Sequence, residues 1–183
     1  MTSAASVGGD ERLRLFLALR LPDDILDAVG RWQRERLVGV RIVLREHLHV
    51  TLAFLGPRPT AELESIVGVL RDAAAGAEEI RLAPVRYRET RSVGMLVLED
   101  EGGCAALLAV DVQERLERLG VYRREGRPWL PHLTVARWRE RPRLRLEPPP
   151  VRTFVPSDAA AYLSRLHPGG ARYEVLESVA LGG

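Results

Sequence analysis

The sequence contains the same five-residue motif twice, and this motif is called the repeated phrase. Residues 49–53 read HVTLA and residues 132–136 read HLTVA, so both copies follow the pattern His-aliphatic-Thr-aliphatic-Ala. This alternation is typical of a β-strand, in which residues two apart point to the same face of the sheet. In each copy the histidine and the threonine should therefore project together, while the aliphatic residues face a core. We predict two matching strands that each present an imidazole and a hydroxyl.

Further strands and three helices are predicted around these two strands. Apolar residues at helical spacing indicate helices that begin near residues 23, 60 and 105. We expect Thr60 to cap the second helix and Gly56-Pro57 to close the strand before it. Alternating or wholly apolar runs predict the remaining strands at residues 12–22, 38–44, 80–90, 93–99, 151–155, 159–166 and 173–181, the last two forming a hairpin.

This order of elements predicts an α+β fold. Together with the repeated phrase, it suggests two related lobes, each a mostly antiparallel sheet backed by helices. The boundary between them has no low-complexity linker, so we expect one integrated domain over residues 12–183, preceded by a flexible N-terminal tail over residues 1–11.

Composition and targeting signals restrict the class of protein. The chain is 46% apolar and 28% charged, which is ordinary for a globular protein. No apolar run approaches the ~18–20 residues needed to span a bilayer, and the N-terminus lacks the basic and apolar regions of a secretory signal. Cys104 is the single cysteine, so no internal disulfide can form. We expect a cytoplasmic monomer with no membrane association.

The positive charge is concentrated around the second copy of the phrase. All 27 basic residues are arginine, yet the net charge is only +2. Residues 122–145 hold eight arginines and two glutamates. This distribution favours an anionic substrate such as a nucleic acid. The alternative is an arginine-rich loop that is simply solvated.

Two imidazoles on matching strands form the smallest set of side chains that can perform general acid–base catalysis without a cofactor. One neutral imidazole removes a proton from a nucleophile, and one imidazolium protonates a leaving group. A threonine hydroxyl two residues along can donate a hydrogen bond to an oxygen that gains negative charge. The pair of modules suits a phosphodiester, and structural repetition without catalysis is the alternative.

Two other functions compete with this hypothesis. His47 lies two residues before His49, so the two could bind zinc together with His132, although no Cys, Asp or Glu is in step with them. The arginine-rich face at residues 122–145 could instead belong to a non-catalytic RNA-binding protein.

Three segments carry a resemblance to a known family. RLFLAL at residues 14–19, HVTLAFLG at residues 49–56 and PHLTVAR at residues 131–137 resemble the bacterial and archaeal RNA 2′,3′-cyclic phosphodiesterases. That family is also called 2′-5′ RNA ligase and belongs to the two-histidine phosphoesterases. The resemblance implies a bilobal α+β fold with a pseudo-two-fold axis and the active site in the cleft between lobes. It also implies hydrolysis of RNA 2′,3′-cyclic phosphate ends to 2′-phosphomonoesters, with no metal, no cofactor and no obligate protein partner.

The resemblance assigns a role to each residue of the two phrases. His49 would be the general acid that protonates the departing ribose O3′, and His132 the general base that activates water. Thr51 and Thr134 would hold the non-bridging phosphate oxygens. The pseudo-symmetry makes the acid and base labels nearly interchangeable from sequence. The same groups could run the reverse reaction and seal 2′-5′ junctions.

Two more residues follow their histidines at equal spacing. By the same resemblance Arg137 would bind phosphate, and Phe54 is a candidate to stack on the terminal base. Each lies five residues after its histidine, so in an unbroken strand it would face the opposite way. For Arg137 to reach phosphate, the strand must end, twist or bulge after Thr134. The alternative for Phe54 is a core position beside Leu52.

Overall fold

The computed structural model describes residues 11–182. Eight β-strands and three α-helices occur within that range. In chain order they are β1 (Arg12–Arg20), α1 (Asp23–Arg36), β2 (Arg41–Ile42), β3 (Val50–Pro59), α2 (Leu63–Ala75), β4 (Arg81–Glu89), β5 (Val93–Glu101), α3 (Cys104–Arg118), β6 (His132–Arg137), β7 (Asp158–His167) and β8 (Gly170–Val179). Single 3₁₀ turns precede β3 and α2, at Arg45–His47 and Thr60–Glu62.

The strands form two antiparallel four-stranded sheets. The first has the order β3-β1-β7-β8 and the second the order β2-β6-β5-β4. Each sheet thus contains one of the two repeated phrases, in β3 and in β6. The predicted α+β class with two antiparallel sheets is confirmed, and so is the predicted hairpin, which is β7–β8.

A single apolar core joins the two sheets. Leu15, Leu17 and Leu19 of β1 lie in one buried cluster with Leu133 and Val135 of β6. Full burial of each such side chain contributes roughly 1.5–3 kcal/mol, so separating the sheets would expose much of what stabilises both. Helix α2 contacts β7 and β8, and α3 contacts β3 and β5. No helix in the described range is long and apolar enough to cross a membrane.

The strand predicted over residues 38–44 is mostly absent. Arg41 and Ile42 pair with Arg137 and Ala136 of β6, and the N–H of Val43 donates to the carbonyl of Val135. Gly39 before them has a φ of 77°, and a 3₁₀ turn begins at Arg45. The chain thus turns on both sides of the pair, which limits β2 to two residues.

The strand predicted over residues 151–155 is also wrong. The segment contributes one isolated bridge, between Phe154 and Leu82 of β4. Prolines 148–150 and Pro156 surround it, and proline has no N–H with which to extend a ladder.

The end of β3 differs from the expectation in two ways. Gly56-Pro57 does not close the strand, because Gly56 adopts a φ of 69° and the pairing with β1 continues to Pro59. Thr60 does not cap α2. Instead its N–H and hydroxyl both donate to the carbonyl of Glu11, and Glu11 is the only residue of the predicted tail that the described range includes.

Candidate active site

A groove of about 1420 Å³ runs between the two lobes. His49, Thr51, Thr134 and Arg137 line it. His132 is not among its lining residues. It lies on the same face of β6 as Thr134, since the β5–β6 register is regular from His132 to Thr134. The structure therefore brings both predicted His-Thr pairs to one cleft.

Each histidine is held by a backbone carbonyl two residues earlier. Nδ1 of His49 donates to the carbonyl of His47 at 2.8 Å, and Nδ1 of His132 donates to the carbonyl of Leu130 at 2.8 Å. A carbonyl only accepts, so Nδ1 carries the proton in both rings. Nε2 is left for chemistry, and in His49 it lies 3.1 Å from the hydroxyl of Thr51. Sequence could not show this anchor, because every residue supplies a carbonyl.

A β-bulge follows the threonine in both strands. Thr134 pairs with Met95 and Ala136 with Gly94, so Val135 is an extra residue in β6. In β3 the register shifts in the same way directly after Thr51, and Leu52 is the extra residue. The break predicted after Thr134 is therefore confirmed as a bulge, and its counterpart in β3 lies at the equivalent position.

The bulges return the fifth residue after each histidine to the groove face. Arg137 pairs with Val93 and Thr134 with Met95, two residues apart on β5, so both side chains share a face. Phe54 is 46% exposed and lines the groove, which rules out its alternative position in the core.

Arg14 and Phe54 form a small platform beside the groove. The Arg14 guanidinium lies over the Phe54 ring, 4.7 Å from its centroid. Sequence analysis missed Arg14, although the alternation in β1 places Arg14 and Phe16 opposite the core leucines. Arg41 and Arg172 also line the groove and were also missed.

Aromatic rings surround the first histidine. The His49 ring centroid lies 4.8 Å from that of Phe16, 5.5 Å from that of Tyr173 and 5.9 Å from that of Tyr162. Burial penalises the imidazolium form and, with the positive charges of Arg137 and His132, lowers the pKa of His49 to about 4. In the free protein at neutral pH His49 is therefore neutral, with Nε2 unprotonated.

Uncovering His49 should raise its pKa. Tyr173→Ala removes one ring of the surround and admits water, so the pKa should rise from about 4 towards the ordinary value of about 6.5. Titration of the imidazole ¹⁵N signals by NMR measures this shift. Phe54→Ala is the matched control, because that ring makes no stacking contact with His49 among the described residues. An unchanged pKa in Tyr173→Ala would show that the surround does not set it.

The arginine-rich segment has structural roles as well as one groove residue. Arg124 pairs with Glu117 at 2.7 Å and Arg127 pairs with Glu125 at 2.6 Å. Arg141 pairs with Glu89, whose side chain is only 2% exposed. These ion pairs account for part of the charge cluster within the protein itself.

A three-histidine metal site does not form. Across residues 11–182 no three His, Cys, Asp or Glu side chains are placed together to hold a metal ion. His47 ends the 3₁₀ turn before β3, and its ring packs on Tyr173 with centroids 4.7 Å apart. The donor set that the zinc hypothesis requires is thus not assembled.

Comparison with known proteins gives a consistent family. Residues 21–167 match the family model described as "2'-5' RNA ligase superfamily". An "RNA 2',3'-cyclic phosphodiesterase" from Thermus thermophilus is 34% identical over 93% of this chain and 91% of its own. A protein of the same name from Methanocaldococcus jannaschii is 26% identical over 68% of this chain and 71% of its own.

Solved structures share the fold. A crystal structure of a Thermus thermophilus protein superposes with a TM-score of 0.81 at 27% identity and covers 93% of this chain and 99% of its own. The apo form of Escherichia coli LigT superposes with a TM-score of 0.80 at 24% identity and covers 95% of this chain and 100% of its own. Because LigT is only 24% identical, its similarity to this chain shows a shared fold and nothing more.

Proposed function

The chain belongs to the 2′-5′ RNA ligase superfamily, and from that premise we propose that it hydrolyses RNA 2′,3′-cyclic phosphate ends to 2′-phosphomonoesters. One observation carries the proposal: His49, Thr51 and Thr134 line one cleft, His132 lies on the Thr134 face of β6, and the Nδ1 atom of each histidine is held by a backbone carbonyl. The name shared by the relatives supports the same substrate. We also infer that the protein works in the cytoplasm on RNA ends.

The chemistry needs two proton transfers and no redox step. His132 accepts a proton from water as the water oxygen bonds to phosphorus. The P–O3′ bond breaks and O3′ takes a proton from His49, so the phosphate remains on O2′. Arg137 and the hydroxyls of Thr51 and Thr134 hold the non-bridging oxygens, on which negative charge increases. With a 5′-hydroxyl in place of water as the nucleophile, His132 takes the hydroxyl proton, the P–O3′ bond breaks, O3′ takes a proton from His49, and a 2′-5′ phosphodiester forms.

The acid role of His49 needs a change on binding. Its pKa of about 4 in the free protein leaves it unprotonated at neutral pH. A phosphate anion beside the ring favours the imidazolium and raises that pKa. A titration with bound inorganic phosphate tests whether this rise occurs, and an unchanged pKa of His49 would contradict its acid role.

The platform of Arg14 and Phe54 is suited to a nucleobase. A base can stack on the exposed Phe54 ring, a contact worth roughly 1–3 kcal/mol, and Arg14, which lies over that ring, can pair with the adjoining backbone phosphate. The groove arginines come from β1, β2, β6 and β8, so positive charge extends along the cleft. This extent favours a polynucleotide end over an isolated cyclic nucleotide.

The deciding experiment is hydrolysis of a short RNA that ends in a 2′,3′-cyclic phosphate, in the presence of EDTA. We expect turnover and a 2′-phosphate product, identified by its resistance to a 3′-specific phosphatase. Activity that EDTA abolishes would point to a metal mechanism. Tight RNA binding without turnover would support the non-catalytic alternative.

A further inference from the structure

Two buried glutamines lie behind the two catalytic strands. Gln33 of α1 is 1% exposed and Gln113 of α3 is 8% exposed. A buried amide costs free energy unless its polar atoms are hydrogen-bonded. The side-chain amide of each glutamine donates to backbone carbonyls outside its own helix.

The carbonyls that they bind belong to the two bulges. Nε2 of Gln33 donates to Val135 at 2.8 Å and to Val43 at 2.9 Å. Nε2 of Gln113 donates to Leu52 at 2.8 Å. Val135 and Leu52 are the extra residues of β6 and β3. An extra residue interrupts the ladder between its strand and the paired strand. The carbonyl of Val135 also accepts from the N–H of Val43 at 2.9 Å, so Gln33 adds a second donor to this bulge from α1. Gln113 is the side-chain donor to the bulge at Leu52.

The two contacts are related by the pseudo-symmetry of the fold. Helix α1 follows β1 of the first sheet and reaches β6 of the second. Helix α3 follows β5 of the second sheet and reaches β3 of the first. Each glutamine therefore lies on the helix that follows a strand of one sheet and holds the bulge in the other sheet.

The bulges decide which side chains enter the groove. With regular alternation after the threonines, Arg137 and Phe54 would lie opposite Thr134 and Thr51. With the bulges, each shares a face with its threonine. Anything that fixes a bulge therefore fixes the direction of one groove side chain.

We propose that Gln33 and Gln113 are positioning residues, of which Gln33 keeps Arg137 and Gln113 keeps Phe54 directed into the groove. The catalytic consequence rests on the proposed function. The effect on backbone geometry does not.

The first test measures amide hydrogen exchange of the backbone at the two bulges. Gln33→Met and Gln113→Met keep approximately the side-chain length and remove the donor. We expect faster amide hydrogen exchange around Val135 in the first variant only and around Leu52 in the second only. Val29→Ala and Val112→Ala, on the same helices, are matched controls that loosen the core without touching either bulge carbonyl. Should a methionine variant fail to fold, Gln→Asn keeps the amide but is too short to reach.

The second test is a pair of double-mutant cycles on the cyclic phosphate RNA. Gln33→Met should lower kcat/KM by about 10- to 100-fold, the scale expected for misplacing a substrate-binding group. In an Arg137→Ala background it should cost less than about threefold, because the residue it positions is gone. Its effect should instead add to that of Phe54→Ala, and Gln113→Met should show the reverse pattern.

The outcomes separate the two proposals. Unchanged exchange at both bulges, or full additivity of Gln33→Met with Arg137→Ala, would overturn the positioning role. A wild-type protein that binds but does not hydrolyse the RNA would instead overturn the proposed function, and the exchange experiment would still decide whether the glutamines hold the bulges.

Discussion

His49→Ala and His132→Ala should each lower kcat on cyclic phosphate RNA by about 10²–10⁴-fold, the usual contribution of a positioned acid or base. The physical reason is that each variant removes one of the two proton-transfer groups while leaving the groove intact. Single-turnover rates with saturating RNA measure the effect on chemistry directly. The double variant should lose little more than either single one, because the two groups act in one step.

His47→Ala is the matched control for these variants. His47 lines the same groove and lies two residues before His49, but its imidazole is not part of a His-Thr pair. Its backbone carbonyl, which anchors His49, survives the substitution. We expect a change of less than about tenfold, far below the loss for a catalytic group. Equal losses in His47→Ala and His49→Ala would argue for a three-histidine site instead of a two-histidine mechanism.

The repeated phrase contained enough information to predict the centre of the site. Alternation placed the histidine and threonine of each copy on one face, and the five-residue spacing to Arg137 required a break that the structure shows as a bulge at Val135. These are local properties of a strand, and the alternation of residue types along the sequence predicts them directly.

The surroundings of the site could not be predicted in the same way. Phe16, Tyr162 and Tyr173 meet around His49 because β1, β7 and β8 are neighbours in one sheet. That pairing joins residues far apart in the chain, and no periodicity within β1 specifies it. The strand predicted over 38–44 is limited to Arg41–Ile42 and the one predicted over 151–155 to a single bridge, because turns and prolines flank these apolar residues.

The buried glutamines show the same division between local and non-local information. Gln33 lies in an otherwise ordinary amphipathic helix, and its spacing alone marks it only as a residue near the apolar face. Its structural role depends on its hydrogen bond to the carbonyl of Val135, which is 102 residues away in the chain. Only the folded chain shows that a polar core residue and a strand irregularity form one unit.

Arg137→Ala should lower kcat/KM by about 10²–10³-fold, as expected for removing a donor to oxygens that gain charge in the transition state. Arg137→Lys should recover only part of this loss, because an ammonium supplies a point charge without the planar fork of the guanidinium. Arg139→Ala is the matched control, since Arg139 is also exposed and lies two residues further on, outside the groove lining. It should change kcat/KM by less than about threefold, as expected for a solvated surface charge that is screened by salt.

A second readout of the same variant does not depend on turnover. The positive charge of Arg137 helps to lower the pKa of His49, so Arg137→Ala should raise that pKa in the free protein, whereas Arg139→Ala should leave it unchanged. Both can be followed by NMR titration of the imidazole. A large loss of activity without any rise in the pKa of His49 would place the Arg137 guanidinium farther from the His49 ring than the groove geometry indicates. A rise in the pKa without loss of activity would mean that Arg137 lies near the site but does not bind the phosphate. Only the two effects together support its role as the groove's phosphate ligand.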